Sequence, residues 1–164
     1  MRAIVAVDNK WGIGKNNDLL FSIPEDMKFF RETTKGKVVV MGSNTLRSFP
    51  NGNPLKNRVN IVLSSKIKRD DCFVVDTVEH LLDEIKKYPE DDVYLIGGAM
   101  LYKTLLPYCK EVFVTKVNAD GKATVFFPNL DGLKEWTLTK TSDIIESNGF
   151  TFQFTTYQNS SVKE

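Results

Sequence analysis

Val93-Tyr94-Leu95-Ile96-Gly97-Gly98-Ala99-Met100-Leu101-Tyr102 passes from a continuously apolar strand pattern through two glycines into a helical pattern. An apolar run of this kind marks a strand buried on both faces, as in a parallel sheet covered by helices. The glycines let backbone approach a ligand closely, and the helix start behind them offers free N–H groups and a positive dipole end to a phosphate. The spacing is not G-x-G-x-x-G, so it carries no Rossmann fingerprint. A tight strand-to-helix turn with no ligand accounts for the same residues. Upstream, Val40-Met41-Gly42-Ser43-Asn44-Thr45 repeats the strand, glycine, helix pattern. Two such junctions place two helix starts at the carboxyl edge of one sheet, where open α/β sheets bind ligands. A dinucleotide, with its two linked phosphates, fits between them.

Further strand patterns lie at Ala3–Val7, Lys37–Met41, Arg58–Ser64, Phe73–Val75, Asp92–Ile96, Glu111–Val117, Glu135–Lys140 and Phe150–Tyr157, rich in valine, isoleucine, phenylalanine and threonine. Helical stretches fall between them. Ser22-Ile23-Pro24-Glu25 has the spacing of a capping box with proline early in the helix, and Asp76-Thr77-Val78-Glu79 offers the same for Thr77–Lys87. Gly98–Leu106 and the shorter Asn44–Ser48 complete the set. No helical pattern separates the last two strands. The expected fold is α/β: a single-domain, doubly wound mixed sheet of about eight strands, mostly parallel with an antiparallel C-terminal strand, flanked by about four helices. The domain is placed at residues 1–158 with 159–164 as a tail, and Gln158–Glu164 reads as a frayed end.

At 164 residues the chain is long enough to bury a core without disulfide or metal. Hydrophobic residues at 41% and charged residues at 26% exclude a disordered or membrane-spanning chain. A net charge of +1 argues against a bulk electrostatic nucleic-acid binder. The apolar run Ala3–Val7 is too short for a signal core or a membrane helix. Cys72, Cys109 and His80 are too few and too scattered for a Cys/His zinc site. A cytoplasmic monomer with reduced thiols, no metal and no membrane partner is expected.

Two features point to chemistry. In a helix from about Ile23, Asp26 stands one turn from Ile23, Phe29 and Phe30, a lone carboxylate beside an apolar stripe. Burial there raises its pKa, although an exposed acid in a first helical turn explains the same pattern. Trp11-Gly12-Ile13-Gly14-Lys15-Asn16-Asn17-Asp18-Leu19-Leu20-Phe21 is a long connection that is rich in Gly and Asn yet carries large apolar side chains, as a packing lid does.

Taken together, Ala6-Val7-Asp8, Gly12-Ile13-Gly14, Ile23-Pro24-Glu25-Asp26-Met27-Lys28-Phe29-Phe30, Val40-Met41-Gly42, Ser64-Ser65, Ile96-Gly97-Gly98 and Phe126-Phe127-Pro128 resemble dihydrofolate reductase over nearly the whole chain. The resemblance implies reduction of 7,8-dihydrofolate by NADPH, with hydride delivered to pterin C6 and a proton to N5, and antifolate inhibitors as further ligands. Asp26 would hold the pterin amidine edge and favour protonation, with Thr115 supporting it, although Thr115 also reads as an ordinary strand residue. The Ile4 and Ile96 carbonyls would receive the pterin amino group in inhibitor-like poses. Val5, Ala6, Leu19, Phe21, Met27, Phe30, Phe49 and Leu55 would line the pocket, and Arg58 would grip the α-carboxylate of the glutamyl tail.

For NADPH, the resemblance assigns Gly42, Ser43, Asn44 and Thr45 to one phosphate junction. Gly97, Gly98, Ala99, Met100, Leu101 and Tyr102 form the other, with a cis Gly97–Gly98 peptide. Ile13, Gly14, Asn17 and Leu19 would flank the nicotinamide, and Ala6, Leu63 and Ile96 would also touch the cofactor. This chain departs from the family in three places. It has Leu19-Leu20-Phe21 where Leu-Pro-Trp is usual, and Ser43 where an arginine often stands, which leaves the 2′-phosphate to Ser64, Ser65 and Lys66. It also has Ala123 where an acid can tether the lid. The competing readings are another pterin- or pyrimidine-type reductase of the same fold, and a non-catalytic dinucleotide or folate binder. The combination of Asp26 with Arg58 disfavours the first, and the proton-handling Asp26 with the hydride-side junctions disfavours the second.

Overall fold

A computed structural model describes residues 1–15 and 18–164. In chain order the elements are β1 (Arg2–Val7), β2 (Gly12–Lys15), β3 (Asp18–Leu19), α1 (Pro24–Thr34), β4 (Val38–Gly42), α2 (Ser43–Ser48), β5 (Val59–Leu63) and β6 (Phe73–Val75). They continue with α3 (Val78–Ile85), β7 (Val93–Gly97), α4 (Ala99–Leu105), β8 (Glu111–Val117), β9 (Val125–Phe126), β10 (Trp136–Thr141), β11 (Ile145–Ser147) and β12 (Phe150–Asn159). The main sheet runs β10-β12-β8-β1-β7-β4-β5-β6, with β11 attached to β12. Every pairing from β8 to β6 is parallel, while β12 runs antiparallel to β8, and β10 and β11 antiparallel to β12. This is the mixed, doubly wound sheet that the strand and helix alternation predicts.

The continuously apolar strands sit where double burial demands them. Val38 to Met41 of β4 and Val93 to Leu95 of β7 are all buried in the middle of the sheet. Leu95 is fully buried in the larger core cluster, so Leu95→Ala removes apolar contact and leaves a cavity. The expected cost is about 2–5 kcal/mol, read as a lower urea midpoint at unchanged slope.

Three expectations need correction. The capping box at Ser22 does not form: α1 is preceded by Ile23, with no side-chain cap. Ile23 is buried with Val117 and Phe152, and this apolar anchor fixes the start of the helix instead. At α3 the cap is real but belongs to Thr77, whose Oγ1 accepts the His80 N–H at 3.1 Å. The C-terminal end is tied down rather than frayed. β12 continues through Gln158 and Asn159, the Ser160 N–H donates to the Glu135 carbonyl, and the Lys163 N–H donates to the Pro107 carbonyl.

The connection read as a lid contains strands that carry no β pattern. β2, β3 and β9 form a separate three-stranded sheet, order β3-β2-β9. Their partners create them: Gly12 pairs with Phe126 and Gly14 with Val125. β11 likewise carries no strand pattern of its own, being short and dependent on β12. The two cysteines are unpaired, and burial pushes the Cys109 thiol up to about 12, which fits an inert core thiol.

Candidate active site

The neighbouring strands β4 and β7 bring the two glycine junctions side by side, with Met41 opposite Gly97 in the register. α2 and α4 both begin on a glycine, Gly42 and Gly98, and neither start is capped by a side chain. Their first N–H groups are therefore left for a ligand or solvent. The Gly97–Gly98 peptide is cis and Gly97 has φ 139°. That φ favours glycine, and a Cβ on Gly97 would stand 3.0 Å from Thr45 Oγ1, so the Thr45 side chain would have to give way. This close pair of bare helix starts fits a pyrophosphate.

On the other side of β1, Ala6 lies opposite Thr115 of β8. Thr115 is buried, and its hydroxyl donates to Asp26 Oδ1 at 2.6 Å. Burial pushes the Asp26 carboxyl above the usual carboxylate range, against the Thr115 hydrogen bond, which pulls it down. Among the described residues no cation pairs with Asp26. The apolar stripe beside it is real: Ile23 is buried and Phe29 packs against Phe113 and Phe154, with ring centroids 6.0 and 4.9 Å away. Met27 is half exposed. Ile4 and Val5 are buried in β1, and the Ile4 carbonyl already accepts the Tyr102 hydroxyl at 2.7 Å. A carbonyl has two lone pairs, so one remains for a ligand amino group. Phe49, Leu55 and Ile96 pack together against the cluster of Val39, Met41, Leu46 and Val62. Leu55 is pinned there by Asn60, whose side chain bonds both its N–H and its C=O at 3.0 and 2.9 Å.

Arg58 sits just before β5 and is fastened to the far end of α1. Its Nε donates to Thr34 Oγ1 at 2.8 Å, its Nη2 to the Arg31 carbonyl at 3.0 Å, and its Nη1 to the Lys56 carbonyl. A guanidinium has five N–H donors, so one remains on each Nη. Thr34, fully buried and bonded to the Phe30 carbonyl, is a site residue that the sequence expectations do not include. Its position four residues after Phe30 was the available signal.

The remaining sites are more varied. Ser64 Oγ accepts the N–H groups of Lys66 and Ile67, which shapes the turn after β5, while Ser65 and Lys66 are exposed. Asn44 takes a hydrogen bond from Arg47. In α4, Leu101 and Tyr102 are buried whereas Met100 stands out in solvent. Leu19 is 82% exposed, and Phe21 packs edge-on against Phe150 at 5.0 Å. Ile13 and Gly14 lie in β2. Asn17 lies outside the described residues. A cavity of about 870 Å³ between α1 and the β8, β10 and β12 strands shares Thr115 and the neighbouring Phe29 with this set.

Two bare helix starts and a half-buried carboxylate at the carboxyl edge of an open sheet define the class of α/β enzymes that bind a ligand across that edge. A family model described as dihydrofolate reductase matches residues 1–159. The dihydrofolate reductase of Bacillus subtilis is 35% identical, over 94% of this chain and 92% of that protein. That of Schistosoma mansoni is also 35% identical, over 96% and 95%. The solved structure of Enterococcus faecalis dihydrofolate reductase complexed with NADP(H) and RAB-propyl superposes with a TM-score of 0.84 at 31% identity, covering 96% of this chain and 95% of that one. The chain belongs to the dihydrofolate reductase family.

Proposed function

We propose that Asp26, Arg58 and the two glycine junctions divide one reaction between them, the reduction of 7,8-dihydrofolate to 5,6,7,8-tetrahydrofolate by NADPH that characterises the family. The observation that carries this reading is the Thr115 hydroxyl held 2.6 Å from Asp26 Oδ1, on a carboxylate with no cation beside it among the described residues. With Oδ1 fixed, Oδ2 faces the pterin amidine edge, and Asp26 favours protonation at N5 through a water. NADPH supplies the hydride for pterin C6 when bound. The backbone N–H groups at Ser43 to Thr45 and at Gly98 to Leu101 hold the phosphates, the Tyr102 N–H being already donated to the Gly98 carbonyl at 2.9 Å. Ile13, Gly14 and Leu19 flank the nicotinamide and exclude water. Arg58 binds the tail carboxylate through its two remaining N–H groups. It attaches to α1 at Arg31 and Thr34, five to eight residues beyond Asp26, which separates proton site and tail site by roughly 8–12 Å.

The same reading makes this chain a cytoplasmic monomer that binds antifolates at the pterin site. Its exposed large apolar side chains, such as Met100, Ile144 and Phe73, are spread over separate elements, which supports a monomer.

The test follows NADPH and NADH consumption with dihydrofolate as acceptor. NADPH is the preferred cofactor, and Lys66 reads its 2′-phosphate. Arg69 is already engaged with Asp71 at 2.8 and 2.5 Å. Lys66→Ala should weaken NADPH binding about two- to fivefold, the worth of an exposed ion pair, with NADH unchanged. Added salt should narrow the preference in the same direction. Equal losses for both cofactors would move the role to Lys68.

A further inference from the structure

Asp8 follows the last residue of β1 and is only 3% exposed. Its Oδ1 accepts the N–H of Lys10 at 2.9 Å and of Gly12 at 2.7 Å, and its Oδ2 accepts the N–H of Gly121 at 3.0 Å. No cation pairs with it among the described residues, so these three N–H bonds are what permits a buried charge there. They join two segments distant in sequence, the start of β2 and the loop that leads to β9. The Asp8 N–H also donates to the Gly12 carbonyl at 3.0 Å, so Gly12 is held at both its polar atoms. The joint is closely packed: a Cβ on Gly12 would lie 2.4 Å from the Ala123 Cβ and 2.9 Å from each Asp8 oxygen. Beyond it the two segments continue as a pair. Thr124 N–H donates to the Gly14 carbonyl at 2.9 Å, Phe127 N–H donates to the Trp11 carbonyl at 2.8 Å, and the Trp11 ring stacks on Phe127. Among the described residues no carboxylate of the 119–124 loop reaches the β2 backbone. Asp120 is spent on Lys10 and on the Lys122 N–H.

We propose that Asp8 is a positioning residue for hydride transfer: its carboxylate locks the start of β2 to the 119–124 loop and so holds Ile13 and Gly14 in place at the nicotinamide. The proposal rests on the reading of Ile13, Gly14 and Leu19 as nicotinamide-flanking residues. A carboxylate is required because all three partners are donors. An asparagine keeps one acceptor oxygen and turns an NH₂ group toward an N–H on the other side, so one segment is released.

Three measurements on the full chain test this. Amide hydrogen exchange without ligand should be about tenfold faster at Gly12 or Gly121 in Asp8→Asn, the loss of one charge-assisted bond, with Val114 and Thr115 unchanged. Stopped-flow hydride transfer at saturating substrate, compared for NADPH and its C4-deuterated form, should slow about tenfold while the dihydrofolate KM stays within about twofold. NADPH release should quicken. Gly12→Ala, which pries the same joint apart with Asp8 intact, should give the same pattern and replaces Asp8→Asn if that variant fails to fold. Faster exchange with full hydride transfer, or equal damage to KM and rate, overturns the positioning role. Ile13→Ala separates this from the underlying reading. If Ile13→Ala slows transfer and Asp8→Asn does not, only the Asp8 proposal falls. If Ile13→Ala changes neither transfer nor NADPH binding, the lid reading falls and takes the proposal with it.

Discussion

Asp26→Asn is expected to slow dihydrofolate reduction by about 100- to 10,000-fold near neutral pH, the range of a lost general acid. NADPH binding should be intact, because the glycine junctions lie on β4 and β7 while Asp26 is on α1. The deficit should shrink as pH falls and solvent supplies the proton that Asp26 no longer helps to deliver. A stability measurement sets this apart from simple damage. Burial raises the folded-state pKa of Asp26 above its unfolded value. The folded protein therefore holds an extra proton between those two values, and stability falls as pH rises through that window. Above the window the ionised carboxylate is a standing cost, which asparagine removes while still accepting the Thr115 hydroxyl. The variant should melt at or above the wild-type temperature at neutral pH, and the difference should close below the carboxylate range. Near-normal turnover at neutral pH would take Asp26 out of the mechanism. A lower melting temperature at every pH would mean that the substitution disturbs packing.

The parts of this site that sequence reveals are those where one local pattern has one physical cause. Val38 to Met41 and Val93 to Leu95 read as buried strands because only burial on both faces removes polar alternation. Asp26 stood out because a carboxylate among Ile23, Phe29 and Phe30 conflicts with its surroundings. Parts made by long-range pairing left no such mark. Thr115 alternates with buried Val112 and Val114 like any strand residue, and only the packing of α1 over β8 gives its hydroxyl a partner. Val125 and Phe126 are a strand only because Gly12 and Gly14 lie beside them. Asp8 reads as an ordinary turn acid until Gly121 arrives from the other end of the chain. The failed cap at Ser22 shows the reverse case. A correct local motif lost to the burial of Ile23, since anchoring an apolar side chain outweighs one capping bond of about 1 kcal/mol.

Arg58→Leu is expected to raise the dihydrofolate KM about 10- to 100-fold while lowering kcat far less. The arithmetic follows from the bonds. Three of the guanidinium donors are spent on Thr34, Arg31 and Lys56, which fixes the plane of the group before substrate arrives. The free N–H on each Nη then meets a carboxylate with little ordering left to do, and hydrogen bonds to charged groups are worth about 1.5–3 kcal/mol. The tail is remote from the reacting carbons, so this energy is present equally in ground and transition states and appears in KM. Leucine matches the stem of arginine but cannot bond Thr34, whose hydroxyl keeps its donation to the Phe30 carbonyl at 2.8 Å, so the end of α1 should stay folded. The decisive comparison uses a dihydropterin lacking the glutamate. Its kcat/KM should be the same in wild type and Arg58→Leu, because it has no carboxylate to lose. If this substrate suffers as much as dihydrofolate, Arg58 serves only to brace α1 against β5, and the tail must be held elsewhere.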